Sequence, residues 1–245
     1  SYFKENDNFV VQSVDKVAII EEKEDCYIIN TSSPNYFINY FDLTTDYSII
    51  KRELSKFPVM KEPIKFGSGI RILKQDIFET IISFIVSANN NIKRITKILN
   101  KIRENFGKKI GNYYAFPTLN ELKGATEKYF AKLGAGYRAK YLENVLKELE
   151  DFNIEESKNL PTEELRNKLI SLSGVGPKVA DCILLFGYSR LDVFPVDTWI
   201  EKMYNQFYEN CSNRNVIRQK LVEEFGNLSG YAQQYLFYYK RSYLK

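Results

Sequence analysis

The sequence predicts an α+β protein, in which a small antiparallel β-rich N-terminal lobe precedes a large all-helical region. Residues 1–62 contain short runs of β-branched and aromatic residues separated by polar turns, a pattern typical of antiparallel strands. From about Thr44 the apolar residues recur with the spacing of amphipathic helices. The net charge also changes, from −4 over residues 1–62 to +8 over residues 63–245. We therefore predict two regions, 1–62 and 63–245.

Local patterns predict the individual elements in chain order. The predicted strands are Phe9–Val14, Lys16–Glu22 and Cys26–Asn30. An apolar run predicts a helix from Asp76 to Ser87, and an amphipathic run predicts another at Ile92–Phe106, which ends at Gly107 as a C′ glycine. Further helices are predicted at 119–125, 138–151, 161–171, 178–187, 198–208, 213–225 and 228–240.

The composition excludes several classes of protein. No run approaches the 18 or more apolar residues of a membrane span, and charged residues stand where a secretory signal would be apolar, so a reduced intracellular protein is expected. The chain has no histidine, which excludes Ser–His–Asp and Cys–His catalysis and histidine-ligated metals. The widely spaced Cys26, Cys182 and Cys211 fit neither a disulfide framework, nor a zinc site, nor an iron–sulfur cluster. Any proton or nucleophile chemistry must therefore use Lys, Asp, Glu, Cys or Tyr.

The segment LISLSGVGPKVADCILLF, residues 169–186, predicts a helical hairpin at about 161–187. Its turn is Gly174-Val175-Gly176, and Pro177 suits the first turn of the second helix. The two glycines allow positive φ and leave the turn amides uncovered, so these amides form an anion site suited to a phosphate. The pattern predicts a hairpin that binds the DNA backbone without reading bases. A plain helical hairpin without a ligand is the alternative, and the basic charge of the larger region equally fits a solvated surface.

Two polar residues near the hairpin are candidates for catalysis. Lys178 lies in the first turn of the second helix, where the positive end of the helix dipole disfavours an ammonium. The position therefore suits either a nucleophilic amine or a lysine that pairs with a DNA phosphate. Asp197 follows an apolar run at the start of the next helix, where Thr198 and Glu201 form a capping-box pattern. Asp197 is expected to cap this helix or support the cap while its second oxygen points outward.

Together, GVGPKVADC and the later PVD resemble the helix–hairpin–helix–Gly/Pro–Asp superfamily of DNA glycosylases, in its lysine-bearing branch. The segments SANNNIKRIT (87–96), LGAGYRAKY (133–141) and AQQYLF (232–237) are similar, more narrowly, to the 8-oxoguanine DNA glycosylases. The likeness extends from about residue 41 to the C-terminus. It implies a base-excision-repair enzyme, monomeric, that flips and excises 8-oxoguanine from double-stranded DNA, preferably opposite cytosine, and that also nicks abasic sites as an AP lyase.

The resemblance implies a role for each matching residue. Lys178 matches the nucleophile that attacks C1′ and forms a Schiff base, and Asp197 matches the carboxylate that stabilises positive charge on the sugar. Cys182 and Phe237 match the two walls of the base pocket, and Gln233 matches the amide that reads the Watson–Crick edge of the flipped base. Ordinary core packing explains the last three without a ligand.

The resemblance also implies residues for the gap left by the flipped base. Asn89 matches the residue that fills the gap, and Arg94 and Arg138 match the donors to the unpaired cytosine. Tyr137 matches the wedge that opens the base stack. Without the resemblance, Asn89 would be read as part of a turn and Arg138 as a charge on a helix face.

The sequence departs from the family in two places. Trp199 stands two residues after Asp197, where many relatives have histidine, and its role is left open. The family's Gly-Gln-x-Phe-Arg-Trp strand, whose glycine carbonyl accepts N7–H of 8-oxoguanine, is not found. We therefore expect either that the first strands of the lobe are missing or that the lesion is discriminated differently.

The resemblance implies no required cofactor and leaves open a structural cation held by backbone carbonyls of the hairpin. It implies double-stranded DNA as the partner, no membrane, and a location in the cytoplasm or nucleoid of a prokaryote or the nucleus of a eukaryote. One alternative is a lysine-type glycosylase for other oxidised bases, which the Gln233–Phe237 pair and the lack of cluster cysteines disfavour. The other alternative is a non-catalytic DNA-binding hairpin module. The presence of both Lys178 and Asp197 disfavours it, because phosphate binding needs neither residue.

Overall fold

A computed structural model describes residues 2–243 and confirms the α+β class, since antiparallel strands open the chain and helices make up most of the remainder. The strands are β1 (Tyr2–Glu5), β2 (Asn8–Ser13), β3 (Lys16–Glu22), β4 (Tyr27–Thr31), β5 (Lys109–Ile110) and β6 (Tyr113–Tyr114). The helices are α1 (Pro34–Tyr40), α2 (Tyr47–Leu54), α3 (Lys61–Phe66), α4 (Ile77–Ser87), α5 (Ile92–Phe106), α6 (Glu127–Leu133), α7 (Arg138–Asp151), α8 (Ile154–Ser157), α9 (Thr162–Ile170), α10 (Pro177–Phe186), α11 (Thr198–Phe207), α12 (Arg214–Phe225) and α13 (Ser229–Tyr243), with 3₁₀ turns at Pro58–Met60 and Gly226–Leu228.

The four N-terminal strands form one antiparallel sheet in the order β1-β2-β3-β4. In its register Val10 pairs with Ile19 and Val11 with Ala18. Val10, Val11 and Ala18 are buried, as expected for β-branched and small residues at the centre of a packed sheet. The three predicted strands are confirmed as β2, β3 and β4, and β1 is an additional strand that pairs with β2.

Other details differ from the sequence prediction. The predicted helix at 119–125 is wrong, because this segment forms turns that end at Gly124, whose φ of +85° is incompatible with a continuing helix. The later part of the predicted β-rich region is helical, since α1, α2 and the start of α3 precede residue 62. Gly107 follows α5 as predicted but has φ of −77°; a Cβ there would lie 2.0 Å from the Ala115 carbonyl oxygen, so close backbone approach requires the glycine.

The described residues form two compact units, each containing separate stretches of the chain. We name the first the sheet unit: the described parts of Ser1–Tyr40, Gln75–Asn159 and Ser171–Gly174. The second, the lysine unit, comprises Phe41–Lys74, Leu160–Ile170 and the described part of Val175–Lys245. The sequence regions 1–62 and 63–245 stay a prediction, and residues 1, 244 and 245 at their ends lie outside the described residues.

Each unit has its own apolar core. In the sheet unit the fully buried side chains include Phe37 of α1, Ile81 and Ile85 of α4, and Ile102 of α5. Burial of such side chains stabilises a fold by about 1.5–3 kcal/mol each. In the lysine unit the buried core includes Leu54, Met60, Ile183, Phe194 and Tyr235.

Candidate active site and DNA interface

Lys178 lies at the open N-terminus of α10, in the lysine unit. Gly176 is the N-cap residue, in extended conformation, and no side chain caps the helix. A Cβ at Gly176 would meet nothing within 4 Å, so the first amides of α10 have no side chain built over them. Pro177 is the first helical residue, as predicted, and Lys178 follows it, partly exposed. This geometry suits an anion at the helix N-terminus.

The hairpin turn uses its two glycines differently. Gly174 has φ of +81°, which favours glycine, and a Cβ there would lie 2.8 Å from Cβ of Tyr141. Gly176 has φ of −87°, so only one of the two glycines in this turn uses the left-handed region. Val175 between them is buried.

Cys182 lies one helical turn after Lys178, and its thiol contacts the lysine. The Lys178 ammonium donates a hydrogen bond to the Cys182 sulfur. Burial raises the pKa of the Cys182 thiol to about 11, although the adjacent ammonium opposes this shift. Asp197 also acts electrostatically on this thiol, which places the carboxylate close to the same spot. Because Cys182 stays a neutral thiol near pH 7, it is a poor nucleophile, and Lys178 is the better candidate.

Asp197 caps α11 with one of its two carboxylate oxygens. Its Oδ1 accepts hydrogen bonds from the amides of Trp199 and Ile200, both at 3.0 Å. The predicted capping box is replaced by this direct cap, because Thr198 is already helical and Glu201 accepts from Arg214 Nε at 2.7 Å. The cap does not use Oδ2, so Asp197 can hold a helix and present a charge at once.

Gln233 and Phe237 lie one turn apart on α13. Gln233 is buried, and its Nε2 donates to the Pro195 carbonyl at 3.1 Å, two residues before Asp197. Its Oε1 accepts from Gln234 Nε2 at 2.6 Å. Phe237 is partly exposed, with the Arg241 guanidinium 5.8 Å from its ring centroid. The structure therefore joins α13 to the Pro-Val-Asp segment through the amide of Gln233.

Sequence reasoning missed the ion cluster that anchors α10. Asp181, only 2% exposed, accepts from Arg166 Nε of α9 at 2.7 Å and from Arg218 Nε of α12 at 2.9 Å. Arg218 also donates to Glu163 at 2.6 Å. The signal was present, because an aspartate within an apolar helix is buried and must have cationic partners. This cluster fixes the helix that carries Lys178.

In the sheet unit, Arg138 and Tyr137 bind the backbone next to Asn89. Arg138 is 2% exposed, and its guanidinium donates to Ala88 O at 2.7 Å, to Asn89 O at 2.6 Å and to Ala135 O at 3.2 Å. Tyr137 lies against this guanidinium, 4.4 Å from ring centroid to Cζ, and its hydroxyl donates to Ala88 O at 3.2 Å. Asn89 itself is exposed with φ of +48°, a conformation that asparagine tolerates better than most residues.

Arg94 is exposed at the start of α5 in the same unit. Its Nε and Nη2 both donate to the Gly134 carbonyl, at 3.2 and 2.8 Å. A Cβ at Gly136 would lie 3.3 Å from Arg94 Nη2, which together with φ of +61° explains a glycine there. The structure thus brings the predicted gap-filling, wedge and cytosine-binding residues together within the sheet unit. The predicted nucleophile, carboxylate and base-pocket residues all belong to the lysine unit.

The described residues contain neither a membrane-spanning helix nor a cluster of metal-ligating side chains. None of the described helices is long and apolar enough to cross a membrane. Within the described part of the chain, no group of three or more His, Cys, Asp and Glu side chains could hold a metal ion.

Two family models match the chain. One, described as HhH-GPD superfamily base excision DNA repair protein, matches residues 82–226. The other, described as 8-oxoguanine DNA glycosylase, N-terminal domain, matches residues 2–81. Together these matches leave few described residues uncovered.

Individual relatives agree with the family models. The chain is 36% identical to the N-glycosylase/DNA lyase of Saccharomyces cerevisiae, over 69% of this chain and 56% of that protein. It is 34% identical to a probable N-glycosylase/DNA lyase of Methanothermobacter thermautotrophicus, over 71% of this chain and 64% of that protein, so it spans less than two thirds of either relative. Clostridium acetobutylicum 8-oxoguanine glycosylase/lyase, solved with double-stranded DNA that has cytosine opposite 8-oxoguanine, superposes with a TM-score of 0.94 at 41% identity, covering 99% of this chain and 88% of that one.

Proposed function

Because this chain belongs to the helix–hairpin–helix–Gly/Pro–Asp superfamily of base excision DNA repair proteins, and within it to the 8-oxoguanine DNA glycosylases, we propose that it excises 8-oxoguanine from double-stranded DNA, preferably opposite cytosine, and nicks the resulting abasic strand. The observation that carries the proposal is that one buried thiol, Cys182, accepts a hydrogen bond from Lys178 and interacts electrostatically with Asp197. A histidine-free chain has few other groups that could perform this chemistry.

In the proposed reaction the neutral amine of Lys178 attacks C1′ of the flipped nucleotide. The C1′–N9 bond breaks, its electron pair leaves with the base, and the base takes up a proton. The Asp197 carboxylate stabilises the positive charge that develops on the sugar. The amine loses its proton, the sugar ring opens, and a Schiff base joins Lys178 to C1′. Loss of a proton from C2′ then expels the 3′ phosphate, which is the AP lyase step.

The proposed base pocket lies beside this pair. Cys182 and Phe237 would contact the two faces of the flipped base, and Gln233 would hydrogen-bond its Watson–Crick edge. Burial and the bond to the Pro195 carbonyl support the role of Gln233, because they hold its amide at a fixed position near Asp197. The second N–H of Nε2 is the donor that we assign to the base.

In the sheet unit we propose that Asn89 fills the gap in the duplex and that Tyr137, 57% exposed, is the wedge. Arg94 and Arg138 would donate to the unpaired cytosine. Arg94 is exposed and can reach a base by releasing one carbonyl. Arg138 already donates to three carbonyls, so its contact with cytosine requires that it exchange at least one of them on DNA binding.

Borohydride trapping tests the reaction and its nucleophile together. The chain would be incubated with duplexes carrying 8-oxoguanine opposite cytosine, an oxidised pyrimidine or an abasic site, and reduced with borohydride. We expect a covalent adduct with the first and third duplexes, and none for Lys178→Gln, although that variant should still bind lesion DNA.

Lys168→Gln, which changes an exposed lysine of α9, is the matched control and should trap as the wild type does. An adduct at the wild-type level in Lys178→Gln would remove this lysine from the mechanism. Trapping on the oxidised pyrimidine in preference to 8-oxoguanine would identify a lysine-type glycosylase for other lesions.

We further propose that the protein acts as a monomer, inside the cell where genomic DNA lies. The proposed chemistry uses side chains alone. A structural cation held by backbone carbonyls of the hairpin is a separate proposal, and dialysis against a chelator should lower DNA affinity if it is correct.

A further inference from the structure

The lysine unit contains a cavity that takes no part in the proposed reaction. Its volume is about 490 Å³, within the range of small-molecule sites. It lies where the 3₁₀ turn Pro58–Met60 and α3 face α11, α12 and α13. None of the residues assigned above to the base, the sugar or the DNA lines it.

The floor of the cavity is apolar and its rim is aromatic. Met203 and Leu236 contribute the floor, and each is only 1% exposed. Phe207 and Tyr208 stand at the rim, 50% and 39% exposed, and Tyr239 completes the aromatic lining. Tyr208 is held in place because its ring stacks on Tyr204, with centroids 4.9 Å apart and planes 7° apart. Tyr208, fixed in this way, provides a π face to a ligand, whereas the Phe207 ring already has the Lys240 ammonium 5.9 Å from its centroid.

The charge of the cavity is negative although the chain as a whole has a net charge of +4. Glu62 and Glu224 are among its lining residues, whereas lysine and arginine are absent from the described lining. Glu224 accepts a hydrogen bond from the Tyr208 hydroxyl; burial raises the pKa of its carboxyl, and this hydrogen bond opposes the shift. Among the described residues, neither glutamate forms an ion pair. Within the described part of the chain the two carboxylates therefore have no cationic partner.

We propose that this cavity binds an organic monocation of the guanidinium or alkylammonium class, with its apolar body on Met203 and Leu236 and its charged end directed to Glu62 and Glu224. Aromatic faces and carboxylates both attract a cation, and an apolar floor requires an alkyl chain. A phosphate or a DNA strand is repelled by the same two carboxylates. A neutral apolar molecule would fill the floor but gain nothing from the acidic rim.

Calorimetric titration of the full chain with n-butylguanidinium chloride tests the proposal. The neutral isostere n-butylurea is the reference ligand, because it has the same shape without the charge. We expect the cation to bind in the millimolar range, as suits so small a ligand, and about tenfold more tightly than the urea. Glu224→Gln and Glu62→Gln should each remove most of this difference.

Glu223→Gln is the matched control. It removes the same charge from the residue next to Glu224, and the Glu223 side chain does not line the cavity. Equal binding of the cation and the urea would overturn the proposal, as would an equal loss in Glu223→Gln or no binding of the cation.

Two further ligands distinguish the source of the cation. Binding of a blocked glycyl-arginyl-glycine peptide at the affinity of n-butylguanidinium would identify a cation carried on a protein chain. Binding of butylamine with exclusion of the peptide would identify a free small amine. Either result supports the proposed ligand class. Borohydride trapping is independent of all these measurements, so the proposed function and this site can fail separately.

Discussion

At the scale of single residues, Asp197 combines two tasks that one substitution can separate. Asparagine caps helices about as well as aspartate but has no charge. We expect Asp197→Asn to keep the cap on the amides of Trp199 and Ile200, and so to melt within a few degrees of the wild type. Excision of 8-oxoguanine in single-turnover assays should fall by about 10²–10³, as when one electrostatic group is lost from a transition state.

Asp197→Ala is the companion variant, since it removes the cap as well and should cost about 1 kcal/mol of stability. Wild-type excision by Asp197→Asn would show that the charge of this side chain is not needed.

Arg138 gives a second prediction at this scale. Lysine keeps the charge but cannot donate to three carbonyls as the planar guanidinium does, so Arg138→Lys loses hydrogen bonds at a buried site, including the one to the Asn89 carbonyl. We expect the free energy of unfolding to fall by about 1–3 kcal/mol in urea melts. Arg94→Lys, at an exposed site, should change it by less than about 0.5 kcal/mol.

Both variants should also excise 8-oxoguanine with a lower preference for cytosine over adenine opposite the lesion. If Arg138→Lys melts like the wild type, the buried network does not stabilise the protein. If only Arg94→Lys alters the preference, Arg138 acts by positioning Asn89 and not by contacting the base.

The same residues show how much of the candidate site can be predicted from the sequence. Lys178 and Asp197 could be chosen as candidates because both match a motif and because a lysine is unusual at a helix N-terminus, whereas an aspartate there is a common cap. The burial of Arg138 could not be predicted, since arginine is mostly exposed and two of its three partners are backbone carbonyls about fifty residues away along the chain.

At the scale of elements, the ion cluster under α10 decides how firmly Lys178 is held. Asp181→Asn leaves Arg166 and Arg218, both about nine-tenths buried, without the charge between them. We expect a loss of about 3–5 kcal/mol in the free energy of unfolding, because Arg166 loses its carboxylate partner, Arg218 keeps only Glu163, and an unpaired buried charge is costly.

Glu163→Gln is the control, since the Glu163 side chain is 62% exposed and its pair with Arg218 should contribute no more than about 1 kcal/mol. Calorimetric melting of both variants measures the difference. Similar losses in the two variants would mean that the cluster is not a unit.

Helices and strands with a regular hydrophobic pattern could be predicted from the sequence. Short segments, whose structure depends on single residues at their ends, could not. The predicted strands β2–β4 and the helix over 138–151 are confirmed because alternation and amphipathic spacing are local properties. The seven-residue α6 was missed, and a helix was predicted at 119–125 where Gly124 turns the chain. Seven residues make two turns of helix, too few for periodicity to separate them from a turn.

At the scale of the whole molecule, the division into sheet and lysine units could not be predicted from the sequence. Each unit is assembled from stretches separated along the chain, and the charge contrast between residues 1–62 and 63–245 follows sequence order only. Contacts between distant stretches, such as Arg166 with Asp181 and Arg218, set this division.

Buried tyrosine and cysteine side chains, which lose a proton at high pH, predict that the protein becomes less stable there. Burial raises the pKa of Tyr40 in the sheet unit and of Tyr47 in the lysine unit, and raises that of Cys182 to about 11. In the unfolded chain the tyrosines ionise near pH 10 and the thiol near pH 9.0, its ordinary pKa. Above these values the folded state binds more protons than the unfolded state, so the free energy of unfolding falls as pH rises.

We expect that free energy to be nearly constant between about pH 7 and 8.5, and to fall between about pH 9 and 11 by up to 1.4 kcal/mol per pH unit for each such group. Urea melts at a series of pH values measure the slope. Tyr40→Phe removes one titrating group and should make the decline shallower by about that amount, whereas Tyr2→Phe, at an exposed tyrosine, should leave it unchanged. An identical decline in all three proteins would show that buried Tyr40 does not cause it. If the decline is as expected, any fall in excision above about pH 9 must be separated from unfolding before it is assigned to Lys178 or Asp197.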